Sequence, residues 1–173
     1  IPVIFPQFNA FGPMKSHGFA RVSTWEPRGI SGDLQKGTIT ATFRLTPNEL
    51  SKKMWGDDKS FVYDYAVTVV APTETKAGLM KIDSTISNTG SKAFGFTCAL
   101  HSYFPVSDIT QAAVSSVAPW TVEGIKYVDQ LKEGKERADK ICTEKNKEIL
   151  FDKETDRIYL DVPKLLQVVD KKS

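Results

Sequence analysis

The feature that most constrains this chain is an alternation of apolar and polar residues with a period of two. In Thr38–Leu45 the apolar residues fall on one face of an extended backbone, as in a strand with one buried face. Phe61–Val70 and Met80–Ile86 repeat the pattern, and their β-branched and aromatic residues favour strand over helix. A turn-forming run over 87–91 follows, so we predict a hairpin between Met80–Ile86 and a further strand over Ala93–Phe104.

One stretch of the sequence predicts a helix. Thr46 supplies an N-cap hydroxyl, Pro47 stands at the first helical position and Glu49 completes a capping box before residues 50–55. Gly56 ends this helix. Further short strands are predicted within residues 109–117, 126–130, 148–151, 157–162 and 165–169. Because each one-sided sheet has to cover its apolar face, consecutive strands of this kind predict an all-β fold, an antiparallel β-sandwich.

Length and composition narrow the class of protein. The chain has 173 residues, of which 40% are hydrophobic and 25% charged, so we predict a single domain over 1–173. The net charge is only +2, and the charged run Lys132–Lys147 mixes acids with bases, which argues against a nucleic-acid partner. No apolar run reaches the roughly 18 residues of a membrane span. These features predict an intracellular protein, cytoplasmic or organellar.

The cysteines also favour an intracellular protein. Cys98 and Cys142 lie far apart, and neither has the close cysteine or histidine neighbours of a metal site. We therefore expect no metal site and two free thiols in a reducing compartment, with a single disulfide as the alternative. The period-two register predicts that Cys98 faces the core.

The chain contains two histidines, and each lies in a short aromatic-flanked motif. His17 opens the motif His17–Arg21, and His101 stands within Leu100–Phe104. An imidazole titrates near pH 6.5 and can donate or accept a proton, while a guanidinium offers a planar, permanently charged fork suited to phosphate. Together these motifs are typical of a sugar-phosphate pocket.

Four motifs follow one another along the chain, and their order carries more information than any one of them. They are Ile1–Phe8, His17–Arg21 with Trp25 behind it, Leu100–Ile109 and Glu154–Tyr159. In order and spacing they resemble the glucose-6-phosphate 1-epimerases, or hexose-6-phosphate mutarotases. The resemblance implies a galactose-mutarotase-like β-supersandwich. It also implies interconversion of the α and β anomers of glucose 6-phosphate without a metal or organic cofactor, so that the expected partner is a hexose 6-phosphate.

The resemblance also implies roles for single residues. His101 matches the general acid, Arg21 a phosphate-binding arginine, and Asp156 a residue that contacts sugar hydroxyls. His17 is expected to line the pocket or to fix the turn before Arg21. Family members are usually longer at both ends, so we expect this chain to be their central portion. The glutamate that acts as catalytic base in the family, and an arginine that helps to hold the phosphate, have no counterpart here.

Each of these residues also has a structural interpretation. Arg21 could pair with Glu26 at the surface, and Asp156 could accept backbone hydrogen bonds within a turn. The sequence departs from the family at Ser16, where a glutamine is usual, and at Asn9, where glycine is usual. Asparagine tolerates the left-handed backbone, so we expect that turn to survive.

The departures from the family pattern motivate a second hypothesis. Besides Ser16, the segment Val114–Trp120 replaces a more glycine-rich stretch of the family. A chain of this fold with an altered pocket could be a non-catalytic mutarotase-like subunit that binds carbohydrate or belongs to a larger protein assembly. Fold alone does not choose between an enzyme and such a subunit, because function resides in the site.

Overall fold

A computed structural model describes residues 1–131 and 141–172, so most of the charged run Lys132–Lys147 lies outside the described residues. The chain divides into two compact units, Ile1–Ser102 (the first unit) and Tyr103–Ser173 (the second unit). The strand pairs are antiparallel, which confirms the predicted all-β, antiparallel class. The predicted single domain stays a prediction. Among the described helices, none combines the length and the apolar character needed to cross a membrane.

The first unit is built around one large sheet. Its elements are β1 (Val3–Ile4), β2 (Glu26–Asp33), β3 (Thr38–Leu45), α1 (Glu49–Trp55), β4 (Phe61–Val70), β5 (Leu79–Asn88) and β6 (Ala99–Leu100), with a 3-10 turn over Ala20–Val22. Strands β2, β3, β4 and β5 form a four-stranded sheet in sequence order, and β1 pairs with β6. The strands predicted at 38–45 and 61–70 are confirmed, and the one predicted at 80–86 extends to Leu79 and Asn88.

Burial of aromatic side chains organises the first unit. In β4 the alternation places Phe61, Tyr63 and Tyr65 on the buried face. The fully buried ring of Phe5 meets its aromatic neighbours at steep interplanar angles, with centroid distances of 5.1–5.9 Å. These neighbours are Phe19, Trp55, Phe61, Tyr63 and Phe96. Edge-to-face pairs of this kind add to the stabilisation from apolar burial.

The helix forms where it was predicted, but its cap is different. Asn48 is the N-cap: its side chain accepts a hydrogen bond from the backbone N–H of Ser51 at 2.9 Å, and the Ser51 hydroxyl accepts one from the Asn48 N–H at 2.8 Å. The prediction of Thr46 as N-cap was therefore wrong by two positions. Asparagine is as good an N-cap as threonine or better, and Ser51 completes the reciprocal pair of bonds.

The predicted hairpin between Met80–Ile86 and Ala93–Phe104 is wrong. Strand β5 pairs with β4, and only Ala99–Leu100 of the predicted last strand is extended and paired, with β1. Backbone amides of this segment bind the start of the chain instead, from Thr97 to the Pro6 carbonyl at 2.9 Å and from His101 to the Pro2 carbonyl at 3.0 Å. Cys98 is exposed, contrary to the predicted register, because this segment does not join the large sheet.

The second unit contains two small sheets. A 3-10 turn over Ile109–Gln111 leads into β7 (Ala112–Ser116), which is followed by β8 (Lys126–Asp129), β9 (Ile141–Thr143), β10 (Ile149–Leu150), β11 (Arg157–Tyr159) and β12 (Leu166–Asp170). Strands β10, β7 and β12 form one sheet, and β11, β8 and β9 form the other. The strands predicted in this region are each confirmed in part of their range, whereas β9 was not predicted.

A buried carboxylate, Glu144, directly follows β9, an edge strand of the second small sheet. Glu144 is only 5% exposed, and its Oε2 accepts hydrogen bonds from the Tyr159 hydroxyl at 2.7 Å and from Arg157 Nη1 at 3.4 Å. Its Oε1 accepts from the backbone amides of Lys145 and Asn146 at 3.0 and 3.1 Å. The Arg157 guanidinium also lies 4.6 Å from the centroid of the Tyr127 ring. This is the Glu144 network, and it satisfies the hydrogen-bonding capacity of a carboxylate removed from water.

Candidate active site

The loop that leads to His17 is held together from inside by Gln7. This side chain is 2% exposed, and its Nε2 donates hydrogen bonds to the carbonyls of Asn9 at 2.9 Å and Met14 at 3.0 Å. Its Oε1 accepts one from the Met14 amide at 3.0 Å. The sequence alone did not point to a role for Gln7. The available signal was a single amide side chain next to the apolar run 1–6.

His17 lies where this loop closes. Its backbone N–H donates to the Asn9 carbonyl at 3.1 Å, and its ring Nδ1 accepts from the Asn9 backbone N–H at 3.2 Å. Both residues are in the left-handed region, with φ of 50° for Asn9 and 71° for His17. The prediction that asparagine would preserve this turn in place of glycine is confirmed.

Gly18 carries the chain from the loop across the end of β1. Its φ is 66°, and a side chain there would overlap the backbone carbonyl of Phe5. That carbonyl accepts hydrogen bonds from the amides of Phe19 and Ala20 at 3.0 and 3.2 Å, which begins the 3-10 turn that bears Arg21. The glycine therefore sets the spacing between His17 and Arg21 in three dimensions.

The structure brings His17, His101 and Arg21 together in the first unit. The two imidazole rings lie edge to face, with centroids 6.2 Å apart. His101 is exposed at the end of β6, and Arg21 Nη2 donates to the carbonyl of Ser16, the residue before His17, at 3.1 Å. Glu26 pairs with Arg28 at 2.7 Å, so the alternative pairing of Arg21 with Glu26 is not the one observed.

The electrostatics of the site act on His17. Burial is the first cause that lowers its pKa below the usual value of 6.5, and the positive charges of Arg21 and His101 lower it further. A low pKa favours the neutral ring, which agrees with the hydrogen bond that Nδ1 accepts.

Asp156 lies in the second unit and immediately precedes β11. Its side chain is exposed, and its backbone carbonyl accepts a hydrogen bond from the Gln130 amide at 2.8 Å. The next residue, Arg157, belongs to the Glu144 network. Asp156 therefore lies directly before β11, whose first residue, Arg157, is held by its hydrogen bond to Glu144.

Metal ligation and proton transfer make different demands on a site. Within residues 1–131 and 141–172, no three His, Cys, Asp or Glu side chains converge as metal ligands would. Two imidazoles beside a guanidinium can move a proton near neutral pH and hold an anion. Cys98 is a free thiol, as expected from the sequence.

Comparison with known proteins gives a consistent result. The family model "Aldose 1-epimerase" matches residues 1–173. A protein of Cenchrus ciliaris named "Putative glucose-6-phosphate 1-epimerase" is 32% identical over 98% of this chain and 48% of that protein. The protein of the same name from Escherichia coli strain K12 is 28% identical over 93% of this chain and 47% of that protein. The chain thus spans about half the length of these relatives.

The fold also matches that of a solved protein. The crystal structure of a "putative mutarotase" from Salmonella typhimurium superposes with a TM-score of 0.69 at 24% sequence identity, over 98% of this chain and 49% of that one. The family match covers every motif on which the resemblance was based, and it confirms that resemblance. The solved structure supports the mutarotase-like β-sandwich class.

Proposed function

We propose that this chain, which belongs to the aldose 1-epimerase family, carries part of the active site of a hexose-6-phosphate 1-epimerase that interconverts the α and β anomers of glucose 6-phosphate. The observation that supports this most directly is the grouping of His17, His101 and Arg21, with the two imidazole rings 6.2 Å apart. His101 is far from His17 and Arg21 in the sequence, yet its ring lies beside that of His17, which supports a shared role.

Mutarotation needs proton transfer at two oxygen atoms of one sugar, the anomeric hydroxyl oxygen and the ring oxygen. A base removes the proton of the anomeric hydroxyl while an acid protonates the ring oxygen, and the ring opens to an aldehyde. Rotation about the bond to C2 exposes the other carbonyl face, and the ring closes with the proton transfers reversed. We assign the acid to His101, whose exposed side chain is accessible to a sugar. The carboxylate base is assigned to none of the described residues.

The other three candidates bind substrate in this proposal. Arg21 holds the 6-phosphate through charge-assisted hydrogen bonds, which a guanidinium can make in pairs. Asp156 accepts hydrogen bonds from sugar hydroxyls, because an ionised carboxylate is a strong acceptor. His17 lines the site beside His101.

The proposal is tested by replacing the acid. In the protein, His101→Ala should slow anomeric equilibration of glucose 6-phosphate by about 10²–10⁴-fold, the usual effect of losing a general acid. Equilibration is followed by polarimetry or by NMR exchange between the anomeric signals. Gln35→Ala changes an exposed residue of the β2–β3 turn and serves as the control that keeps the parent rate.

A second comparison tests the substrate class. Arg21→Gln should reduce kcat/KM for glucose 6-phosphate much more than for unphosphorylated glucose, because only the phosphate loses its charged partner. Equal rates for the parent and His101→Ala would contradict the enzymatic proposal. They would favour the hypothesis of a non-catalytic mutarotase-like subunit.

A further inference from the structure

The loop around Gln7 positions His17 and also places a backbone N–H against its ring. We propose that Gln7 is a positioning residue whose loop fixes His17 as a neutral imidazole with its proton on Nε2, so that His17 serves the site as an uncharged hydrogen-bond donor. The chemical use of that donor rests on the function proposed above. The protonation state itself follows from the geometry of the first unit.

Both the NH₂ group and the oxygen of the Gln7 amide form hydrogen bonds with the backbone of the loop. Both Nε2 hydrogen bonds go to backbone carbonyls, and Oε1 accepts from a backbone amide, so the loop from Asn9 to Met14 is tied at three points. A side chain at Gly12 would overlap the Gln7 amide, which shows how closely the loop surrounds it. A buried amide satisfied in this way is costly to replace with an apolar group, because the loop carbonyls and the Met14 N–H would lose their partners.

The loop in turn selects the state of His17. Its Nδ1 accepts from the Asn9 N–H at 3.2 Å, and a nitrogen that carries a proton cannot accept. The bond is therefore compatible with the neutral Nε2–H tautomer and incompatible with both the Nδ1–H tautomer and the imidazolium. The charged groups that act on this ring, Arg21 and His101, both disfavour its protonation as well.

In this arrangement the two histidines have different roles. His101 is the ring to which the proposed function assigns proton donation, and His17 is held neutral beside it. Among the described residues, no group hydrogen-bonds Nε2 of His17, so its N–H is available to an oxygen of the substrate. A neutral donor can hold a hydroxyl or phosphate oxygen without competing for the proton that the acid transfers.

The state of His17 can be measured without turnover. Long-range ¹H–¹⁵N correlation spectra of the parent protein distinguish the two neutral tautomers and the imidazolium. With two histidines in the chain, His101→Ala assigns the signals. We expect His17 to be the Nε2–H tautomer at pH 7 and to remain neutral to a lower pH than a free histidine. A Nδ1–H tautomer, or an imidazolium at pH 7, would overturn the inference.

The role of Gln7 is tested by removing its hydrogen bonds while keeping its bulk. Gln7→Met should leave His17 as a mixture of tautomers, move its pKa towards 6.5, and lower kcat/KM about tenfold, the effect of one lost hydrogen bond. Gln35→Met makes the same change at an exposed position and should change none of these. A folded Gln7→Met protein with parental His17 spectra would show that the loop positions the ring without Gln7.

A third variant separates the backbone from the side chain and covers the case in which Gln7→Met does not fold. Asn9→Gly keeps the N–H that donates to Nδ1 and suits the left-handed backbone at that position, so the parental tautomer should persist. Loss of the tautomer in this variant would contradict the role of the backbone amide. If the parent lacks epimerase activity but shows the expected tautomer, the proposed function fails while the assignment of His17 stands.

Discussion

The two units of the molecule are stabilised in different ways. The first packs aromatic rings around the fully buried Phe5. The second places a charged side chain, Glu144, in its interior and surrounds it with hydrogen-bond donors. Apolar packing is non-directional and grows with the buried area, whereas a buried charge is tolerated only when its partners are in place. The first unit should therefore respond most to lost volume, and the second to lost hydrogen bonds.

The largest effect is expected from Phe5→Ala. Removing this ring leaves a cavity among aromatic side chains of α1, β4 and the segments that contain Phe19 and Phe96, and should lower the free energy of unfolding by about 4 kcal/mol. Urea denaturation measures the change. Phe104→Ala, at an exposed position, should cost far less. A small loss at Phe5 would show that the aromatic core is not the main source of stability in the first unit.

Glu144→Gln tests the second unit with almost no change of volume. The amide cannot accept all the hydrogen bonds of the carboxylate, and it removes the charge that faces Arg157, so unfolding should become easier by about 2 kcal/mol. The matched change Glu154→Gln lies at an exposed position and should be nearly neutral. If the two variants were equally stable, the contrast between the units would not hold.

Tyr159→Phe removes one hydroxyl from the same network and should cost about 1 kcal/mol. Burial is the first cause that raises the pKa of Tyr159 to about 12, and the negative charge of Glu144 adds to it. Because the fold favours the neutral phenol, this stabilisation is complete below pH 10 and is lost as the pH rises through about 12. Denaturation at a series of alkaline pH values should show a larger loss in the parent than in Tyr159→Phe, which keeps the raised pKa values of Tyr63, Tyr65 and Tyr127.

The smallest effect on stability is expected from Arg21→Gln. Arg21 is exposed, so the free energy of unfolding at pH 7 should change by less than about 0.5 kcal/mol. The pKa of His17 should nevertheless rise, because one of the positive charges that lower it is gone. NMR titration of the His17 ring measures this shift. A large loss of stability would instead give Arg21 a structural role like that of Arg157 in the Glu144 network.

The lowered pKa of His17 also affects the stability of the protein in acid. Because the pKa of His17 is lowered in the folded protein, the unfolded chain binds a proton more readily, and the fold loses stability as the pH falls below 6.5. Arg21→Gln should reduce this loss. Denaturation midpoints of the two proteins between pH 7 and pH 5 provide the comparison.

Local pattern predicted the strands that have one buried face. In β4 the alternation buries Phe61, Tyr63 and Tyr65, because side chains of a strand point to opposite faces of its sheet. In β3 the strand itself is confirmed, but of the predicted buried face only Leu45 is buried and Ile39 is exposed. β2 was not predicted, since Glu26–Asp33 contains a proline and two glycines and shows no alternation. Its backbone pairs with β3 all the same, with a register shift after Pro27, and that partner is what makes it a strand.

In the candidate site, too, some features could be predicted from the sequence and others could not. The order and spacing of the four motifs, three of which contain His17, Arg21, His101 and Asp156, predicted the family, which the comparisons confirm. Their roles stay predictions. The part played by Gln7 could not be foreseen, because a glutamine beside an apolar run does not reveal which backbone groups it will meet.

The sequence by itself determined the class of fold and the family, since strand periodicity is a local property of the chain and the order of the motifs can be read along it without knowing their contacts. Only the tertiary structure decided that residues 93–98 leave the large sheet, that Asn9 donates to the ring of His17, and that Glu144 is buried. Each of these depends on a hydrogen-bond partner or an apolar surface contributed by a distant part of the chain. The free energy of burying a polar group depends on that partner, and no local pattern specifies it.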